Sequence, residues 1–116
     1  MNDEFNSWLR NHTQIPGVIA CGVRYPDKST FTRVYSNEIS EATTESALRC
    51  IAETFLAMKN QKFTGPRLCW TFENALLHCF ARSDGICLGV FTSKDPQVAA
   101  PDKLNKLIAE FQNTRL

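Results

Sequence analysis

Arg67-Leu68-Cys69-Trp70-Thr71-Phe72-Glu73-Asn74-Ala75-Leu76-Leu77-His78-Cys79-Phe80-Ala81-Arg82-Ser83-Asp84-Gly85-Ile86-Cys87-Leu88-Gly89-Val90-Phe91-Thr92 decides the fold. It reads as three short strands joined by two tight turns. In the first strand, Arg67 to Phe72, the large apolar groups Leu68, Trp70 and Phe72 recur at every second position, the signature of one sheet face. Glu73-Asn74 is the first turn and leads into Ala75 to Arg82. Asp84-Gly85 is a two-residue hairpin signal. The last strand, Ile86 to Thr92, is nearly all apolar, as expected of a central strand buried on both faces.

Upstream, Val18 to Tyr25 is a second central strand. Pro26-Asp27-Lys28-Ser29 carries turn chemistry, since Pro pre-sets its own dihedral and Asp bonds nearby backbone. Thr30 to Ser36 follows as an edge strand rich in β-branched and aromatic residues. Gly22 and Gly89 interrupt the two central strands, where glycine permits a helix to approach closely.

Helices flank these strands. Asn2 to His12 places Phe5, Trp8 and Leu9 on one stripe, and Pro16-Gly17 ends it. Ser40 is the expected N-cap of a long helix reaching about Lys59 or Asn60, with Glu41 and Glu45 favouring its N-terminus. Ala47, Cys50 or Ile51, Phe55 and Met58 form one apolar stripe of that helix, and Leu48, Ala52 and Leu56 a second. One sheet face needs a single stripe of ordinary width, so the extra width points to a second covering surface. After the loop Ser93 to Ala100, Pro101 opens a terminal helix with Leu104, Leu107, Ile108 and Phe111 inward and Lys103 and Lys106 outward. Five antiparallel strands with interspersed helices imply an α/β fold, a three-layer α/β/α sandwich.

The whole chain, residues 1–116, reads as one domain. Thirteen basic and twelve acidic residues leave a formal charge of +1 with no basic block. Nucleic acid is therefore not an expected partner. No apolar run approaches the roughly 20 residues of a membrane span, so membrane insertion is not expected either. The polar, acidic start lacks the basic and apolar parts of a secretory signal, and the expected compartment is the cytoplasm. Cys21, Cys50, Cys69, Cys79 and Cys87 each sit in an apolar stretch, as free buried thiols do, and no Cys-x-x-Cys pair occurs. Asn11-His12-Thr13 matches a glycosylation sequon by chance.

Chemistry is hard to place. There is no glycine-rich phosphate loop. If Glu73-Asn74 is a two-residue loop, Cys69 lies opposite His78 on one sheet face, but no third or fourth ligand follows at a recognisable spacing. The chain is expected to be non-catalytic, without cofactor or metal.

Ile15-Pro16-Gly17-Val18-Ile19-Ala20-Cys21-Gly22-Val23 resembles the first strand of the roadblock (dynein light chain) domain family. The long helix, the three-strand meander and the helix after Pro101 follow in that family's order. The resemblance implies a profilin-like, longin-related fold, with the long helix on one sheet face and both terminal helices on the other. It implies a homodimer built on the long helix and third strand, with Leu48, Ala52, Leu56, Leu68, Trp70 and Phe72 at the interface. It also implies a scaffold that regulates a small Ras-like GTPase or acts as an adaptor in a motor or signalling complex, with Arg49 as a possible partner contact. One departure is the turn Pro26-Asp27-Lys28-Ser29, which lacks the glycine common in the family. The alternatives are a small-molecule sensor module of the same fold and a thiol or metal enzyme using Cys69 and His78.

Overall fold

The structure, a computed structural model, describes residues 3–13, 15–61, 67–82, 84–95 and 101–113, with backbone only at 3–5 and 101. The expectations for Asn2, the Phe5 side chain, Gly65-Pro66 and residues 96–100 fall outside these. Eight elements follow one another: α1 (Asp3–His12), β1 (Val18–Arg24), β2 (Thr30–Val34), α2 (Glu41–Asn60), β3 (Arg67–Thr71), β4 (Leu76–Ala81), β5 (Cys87–Thr92) and α3 (Pro101–Asn113). The strands form one antiparallel sheet in the order β2-β1-β5-β4-β3. Hence β1, β5 and β4 are interior strands, and β2 and β3 are the two edges.

Alternation along the strands divides the core into two layers. On one face, Cys21, Val23, Leu88, Val90 and Phe80 pack with Leu9 of α1 and with Leu104, Leu107, Ile108 and Phe111 of α3. The Phe80 and Phe111 rings meet edge to face at 5.7 Å, a favoured geometry for aromatic quadrupoles. On the other face, Ile19, Ala20, Leu77, Cys79, Cys87 and Phe91 pack with Leu48 and Ile51 of α2. The three layers are those the sequence implies, and the helix assignment is the one the roadblock resemblance implies. A register shift between Val18 and Ala20 inserts one extra residue opposite β5, which lets Ile19 and Ala20 both serve the α2 face.

Alpha2 starts where its cap dictates. The Ser40 side-chain oxygen accepts from the Thr43 amide at 3.1 Å, satisfying one of the unpaired first-turn donors. The seam it presents to the sheet is Thr44, Leu48 and Ile51, each 1% exposed or less. Thr44 is tolerated there because its hydroxyl donates to the Ser40 carbonyl at 2.9 Å. The two stripes expected from sequence are thus mixed: Leu48 and Ile51 face inward, while Cys50 faces out.

The seat for that seam is a pair of glycines. Gly22 and Gly89 are direct partners across β1 and β5. A methyl group at Gly22 would lie 2.7 Å from Leu48 Cδ1 and 2.8 Å from the Phe31 carbonyl oxygen; at Gly89, 2.8 Å from Ile51 Cδ1. The helix rests where the sheet has no side chains.

Two connections differ in detail from the sequence reading. The β4–β5 connection is three residues, 83–85, not two. Arg82 donates to the Ile86 carbonyl at 2.9 Å, and Gly85 takes φ 91° to close the turn. The β1–β2 connection has the same hydrogen-bond pattern, with Tyr25 donating to the Ser29 carbonyl at 2.9 Å and Lys28 at φ 74° filling the left-handed position without glycine. Asp27 Oδ1 accepts from the Ser29 amide at 2.9 Å and holds that turn. No described helix is long and apolar enough to cross a membrane.

Gly22→Ala should therefore destabilise the fold by about 1–3 kcal/mol, the usual range for overpacking, because the Phe31 carbonyl cannot move aside. In urea unfolding, combining it with Leu48→Ala should cost less than the sum of the two single changes, since the pair shares one contact.

Candidate protein–protein interface

Beta3 is an edge strand of alternating character. Leu68 and Trp70 are half-buried against the α2-side core, whereas Arg67, Cys69 and Thr71 are exposed on the other face. Glu73-Asn74 forms the expected tight turn, with Phe72 donating its amide to the Ala75 carbonyl at 2.8 Å. Phe72 lies at the end of the strand with 49% of its surface exposed, its ring 6.4 Å from Phe91.

The α2 face is only partly covered. Leu48 and Ile51 bring α2 down onto β1 and β5, not onto the β3 edge. Between the N-terminal half of α2 and the β3–β4 turn lies a groove of about 1010 Å³. Thr43, Ser46, Ala47 and Cys50 line its helix side, and Phe72, Asn74, Ala75 and Phe91 its sheet side. Farther along α2, Leu56 is 60% exposed. Among the described residues the exposed large apolar side chains are Val34, Leu56 and Phe72. Two of these three belong to the set expected at an interface.

That set is divided by the structure. Leu56 and Phe72 are exposed, and Ala52, Leu68 and Trp70 are half-buried, so all five retain surface for a partner. Leu48 does not. It is 1% exposed and packed onto the glycine pair, so its assignment to the interface is corrected to the core. Arg49 is exposed but on the opposite flank of α2 from β3. It lines a cleft of about 370 Å³ with Arg24, Lys28, Thr30, Glu45 and Glu53. Thr30 donates to Glu45 at 3.3 Å, which ties this flank of α2 to the β2 edge. Of the groove-lining residues, Ala47 was read from sequence as part of an apolar stripe, but Thr43 and Ser46 had not been singled out. Small polar residues on a helix carry no apolar signal of their own; their one cue was lying two and one turns before Cys50 on the same face.

Cys69 and His78 are register partners, as expected. His78 Nδ1 is buried and has no hydrogen-bond partner among the described residues. Burial, with the nearby Arg67 charge, holds this imidazole below its ordinary pKa and thus neutral at pH 7. Among the described residues no group of three or more His, Cys, Asp or Glu side chains could hold a metal ion. The expectation that all five thiols are buried is corrected at two positions: Cys50 and Cys69 are exposed, while Cys21, Cys79 and Cys87 are buried. Burial pushes Cys21 up to about 11 and Cys79 up to about 12, so neither supplies thiolate at neutral pH. Over β1 and β5 the space between α2 and the sheet is filled by Leu48 and Ile51; the open space on this face is the groove beside the β3–β4 turn.

A scan against protein-family models finds no match to this sequence, and neither does a search of curated proteins. Solved structures match in shape. A Roadblock/LC7 domain from Streptomyces avermitilis superposes with a TM-score of 0.61 at 10% identity, over 90% of this chain and 92% of that one. MglB of Myxococcus xanthus superposes with a TM-score of 0.56 at 11% identity, over 92% and 96%. The fold is of the roadblock type.

Two measurements follow from the thiols and the imidazole. A disulfide reagent at pH 8 should leave Cys21, Cys79 and Cys87 unmodified in the native protein and reach all five thiols after unfolding. Stability should fall as pH drops through and below about 6.5, the ordinary histidine value, because the unfolded chain then takes up a proton that folded His78 resists. In denaturant titrations at pH 7 and pH 5, His78→Gln should lose less stability across that window than the wild type.

Proposed function

We propose that this chain is a non-catalytic scaffold that dimerises through α2 and β3 and regulates a small Ras-like GTPase in the cytoplasm. The observation that carries this reading is the row of partly or fully exposed apolar groups on β3 and at its end, Leu68, Trp70 and Phe72, along one half-covered sheet face and beside a free strand edge. Contiguous apolar surface next to unpaired strand backbone is a liability unless another chain covers it. Trp70 is the residue type that most often dominates such contacts. The roadblock-type fold supports the same geometry, since the resemblance noted above implies a dimer through these two elements.

The GTPase part of the reading rests on that resemblance and on one feature of this chain. Arg49 and its charged neighbours stand on the flank of α2 away from β3, so they remain free when the β3 side is occupied. A regulator of this build works by binding one arrangement of the partner's switch segments better than the other, which shifts the partner's own equilibrium.

Light scattering coupled to size exclusion should give a dimer mass for the wild type. Leu56→Asp with Trp70→Asp should give a monomer whose far-ultraviolet circular dichroism is unchanged. A wild-type monomer over a wide concentration range would overturn the homodimer. For the second part, small Ras-like GTPases loaded with GDP or with a non-hydrolysable GTP analogue should bind with different affinities, and Arg49→Ala should weaken the tighter state. Equal affinity for both states would reduce the protein to a passive adaptor.

A further inference from the structure

Two hydrogen bonds at opposite ends of β2 fix which of its backbone groups are free. Tyr25 donates to the Ser29 carbonyl at 2.9 Å, and Tyr35 donates to the Ile19 carbonyl at 2.8 Å. Hydrogen-bonded and non-hydrogen-bonded pairs alternate along an antiparallel ladder. Counted inward from either end, Phe31 with Val23 and Arg33 with Cys21 are the bonded pairs. The amides and carbonyls of Thr30, Thr32 and Val34 therefore point away from β1, to the free edge.

Side chains beside that edge divide by face. Thr30, Thr32 and Val34 stand on the α2 face. There the two threonine hydroxyls donate to Glu45 and Glu41 at 3.3 and 3.4 Å, and Val34 is exposed. Phe31, Arg33 and Tyr35 stand on the other face. On that side the Arg33 guanidinium lies 6.0 Å from the Tyr35 ring centre, and the Arg10 guanidinium of α1 lies 5.8 Å from the Phe31 ring centre. Neither arginine makes an ion pair among the described residues. Arg33 Nε is buried and has no hydrogen-bond partner among them, so this guanidinium keeps unused donors.

We propose that the β2 edge takes an extended acidic segment of another protein as a sixth strand of the sheet. Strand addition draws affinity from main-chain bonds and specificity from alternate side chains. Thr30, Thr32 and Val34 supply the first, and the two arginines the second. The residue of the added strand opposite Arg33 sits in a non-hydrogen-bonded pair, where side chains approach most closely. A glutamate there meets Arg33 directly in a charge-assisted contact. A further glutamate two residues along comes to Phe31 and the Arg10 above it. Carboxylates on the α2 face would meet Glu41 and Glu45, and like charges across a sheet repel. The segment therefore faces one way, with acids toward Arg33 and apolar or threonine side chains toward Val34.

A second copy of β2 is the wrong occupant. A two-fold contact makes residue i meet residue j and j meet i. Centred on Thr32, it sets Arg33 of each copy against Phe31 and Arg10 of the other, and a charge within an edge strand is a common device against such self-pairing. The proposal also stands apart from the dimer, since a contact through α2 and β3 leaves the β2 edge free, and so does a monomer.

The probe is a blocked heptapeptide of alternating glutamate and valine between threonine ends, beside the same peptide with lysine in place of glutamate. Amide hydrogen exchange followed by NMR reads the geometry. The amides of Thr30, Thr32 and Val34 should exchange fast in the free protein, and saturating glutamate peptide should slow them by about tenfold or more. Phe31 and Arg33, already bonded to β1, should not change, and the lysine peptide should slow none of the five. By fluorescence anisotropy, Arg33→Gln should weaken the labelled glutamate peptide about tenfold, the scale of one hydrogen bond to a charged group. Proline is tolerated on an edge strand where its nitrogen faces solvent, so Thr32→Pro should keep the sheet and lose the peptide. Arg33→Gln, which leaves the backbone untouched, decides the matter if Thr32→Pro does not fold. No binding at millimolar glutamate peptide, equal affinity for the lysine peptide, or protection confined to other amides would overturn the proposal. A wild-type monomer by light scattering would overturn the homodimer and leave this edge contact standing.

Discussion

Gly22 and Gly89, facing each other across the neighbouring interior strands β1 and β5, set the position of α2 and through it the character of both sheet faces. Because neither carries a Cβ, Leu48 and Ile51 descend onto sheet backbone at distances no side chain there would allow. Burying an aliphatic side chain of that size contributes about 1.5–3 kcal/mol, so the contact is a substantial fraction of what holds a small domain together. A helix anchored over β1 and β5 cannot also cover the β4–β3 end of the same face. The half-open surface beside β3 is thus a consequence of where the glycines are.

The opposite face is treated differently. Two helices share it, and Leu9, Phe80 and Phe111 close it around Val90 and Leu88, leaving only its β3 end open. Several polar groups inside that layer are satisfied locally. Thr13 is fully buried, donates to the Leu9 carbonyl at 2.6 Å and meets the Tyr35 hydroxyl at 2.7 Å; the Tyr25 hydroxyl donates to Asn6 at 2.7 Å. Arg82 donates to the Phe111 carbonyl at 2.9 Å and pairs with Asp84 at 2.9 Å, tying the end of α3 to the β4–β5 turn. A face finished in this way offers a partner little. The asymmetry between the faces leaves the larger open apolar surface on the α2 side, beside β3.

Much of this was legible in the sequence because it depends on period and punctuation. The nearly continuous apolar runs of β1 and β5 identified the interior strands, Ser40 identified the start of α2, and the spacing Leu104, Leu107, Ile108, Phe111 identified the buried side of α3. What failed depended on rotation by a fraction of a turn. Leu48 and Leu56 lie eight residues apart, about 80° around a helix of 3.6 residues per turn; one is buried and the other exposed, though both read as apolar on one stripe. Cys50 next to Ile51 posed the same ambiguity. Cys69 misled for another reason. It alternates with Leu68 and Trp70, and the face it shares with His78 is left open at that end of the sheet, which strand periodicity alone cannot reveal. The extra residue of the 83–85 turn was hidden because Asp-Gly also closes two-residue hairpins.

The two flanks of α2 end up with different chemistry for a physical reason. On the β2 flank, Glu41 and Glu45 reach threonines of the edge strand, and Arg24, Lys28 and Arg49 gather around them, so water and charge fill the gap between helix and sheet. On the β3 flank the helix offers Ser46, Ala47 and Cys50 to Phe72 and Phe91, with few charges and much apolar surface. The first kind of surface favours reversible, salt-sensitive contact and fast encounter. The second favours lasting apolar burial, which protein chains reserve for subunits of one assembly. The division follows from seating α2 over Gly22 and Gly89, off the centre of the sheet.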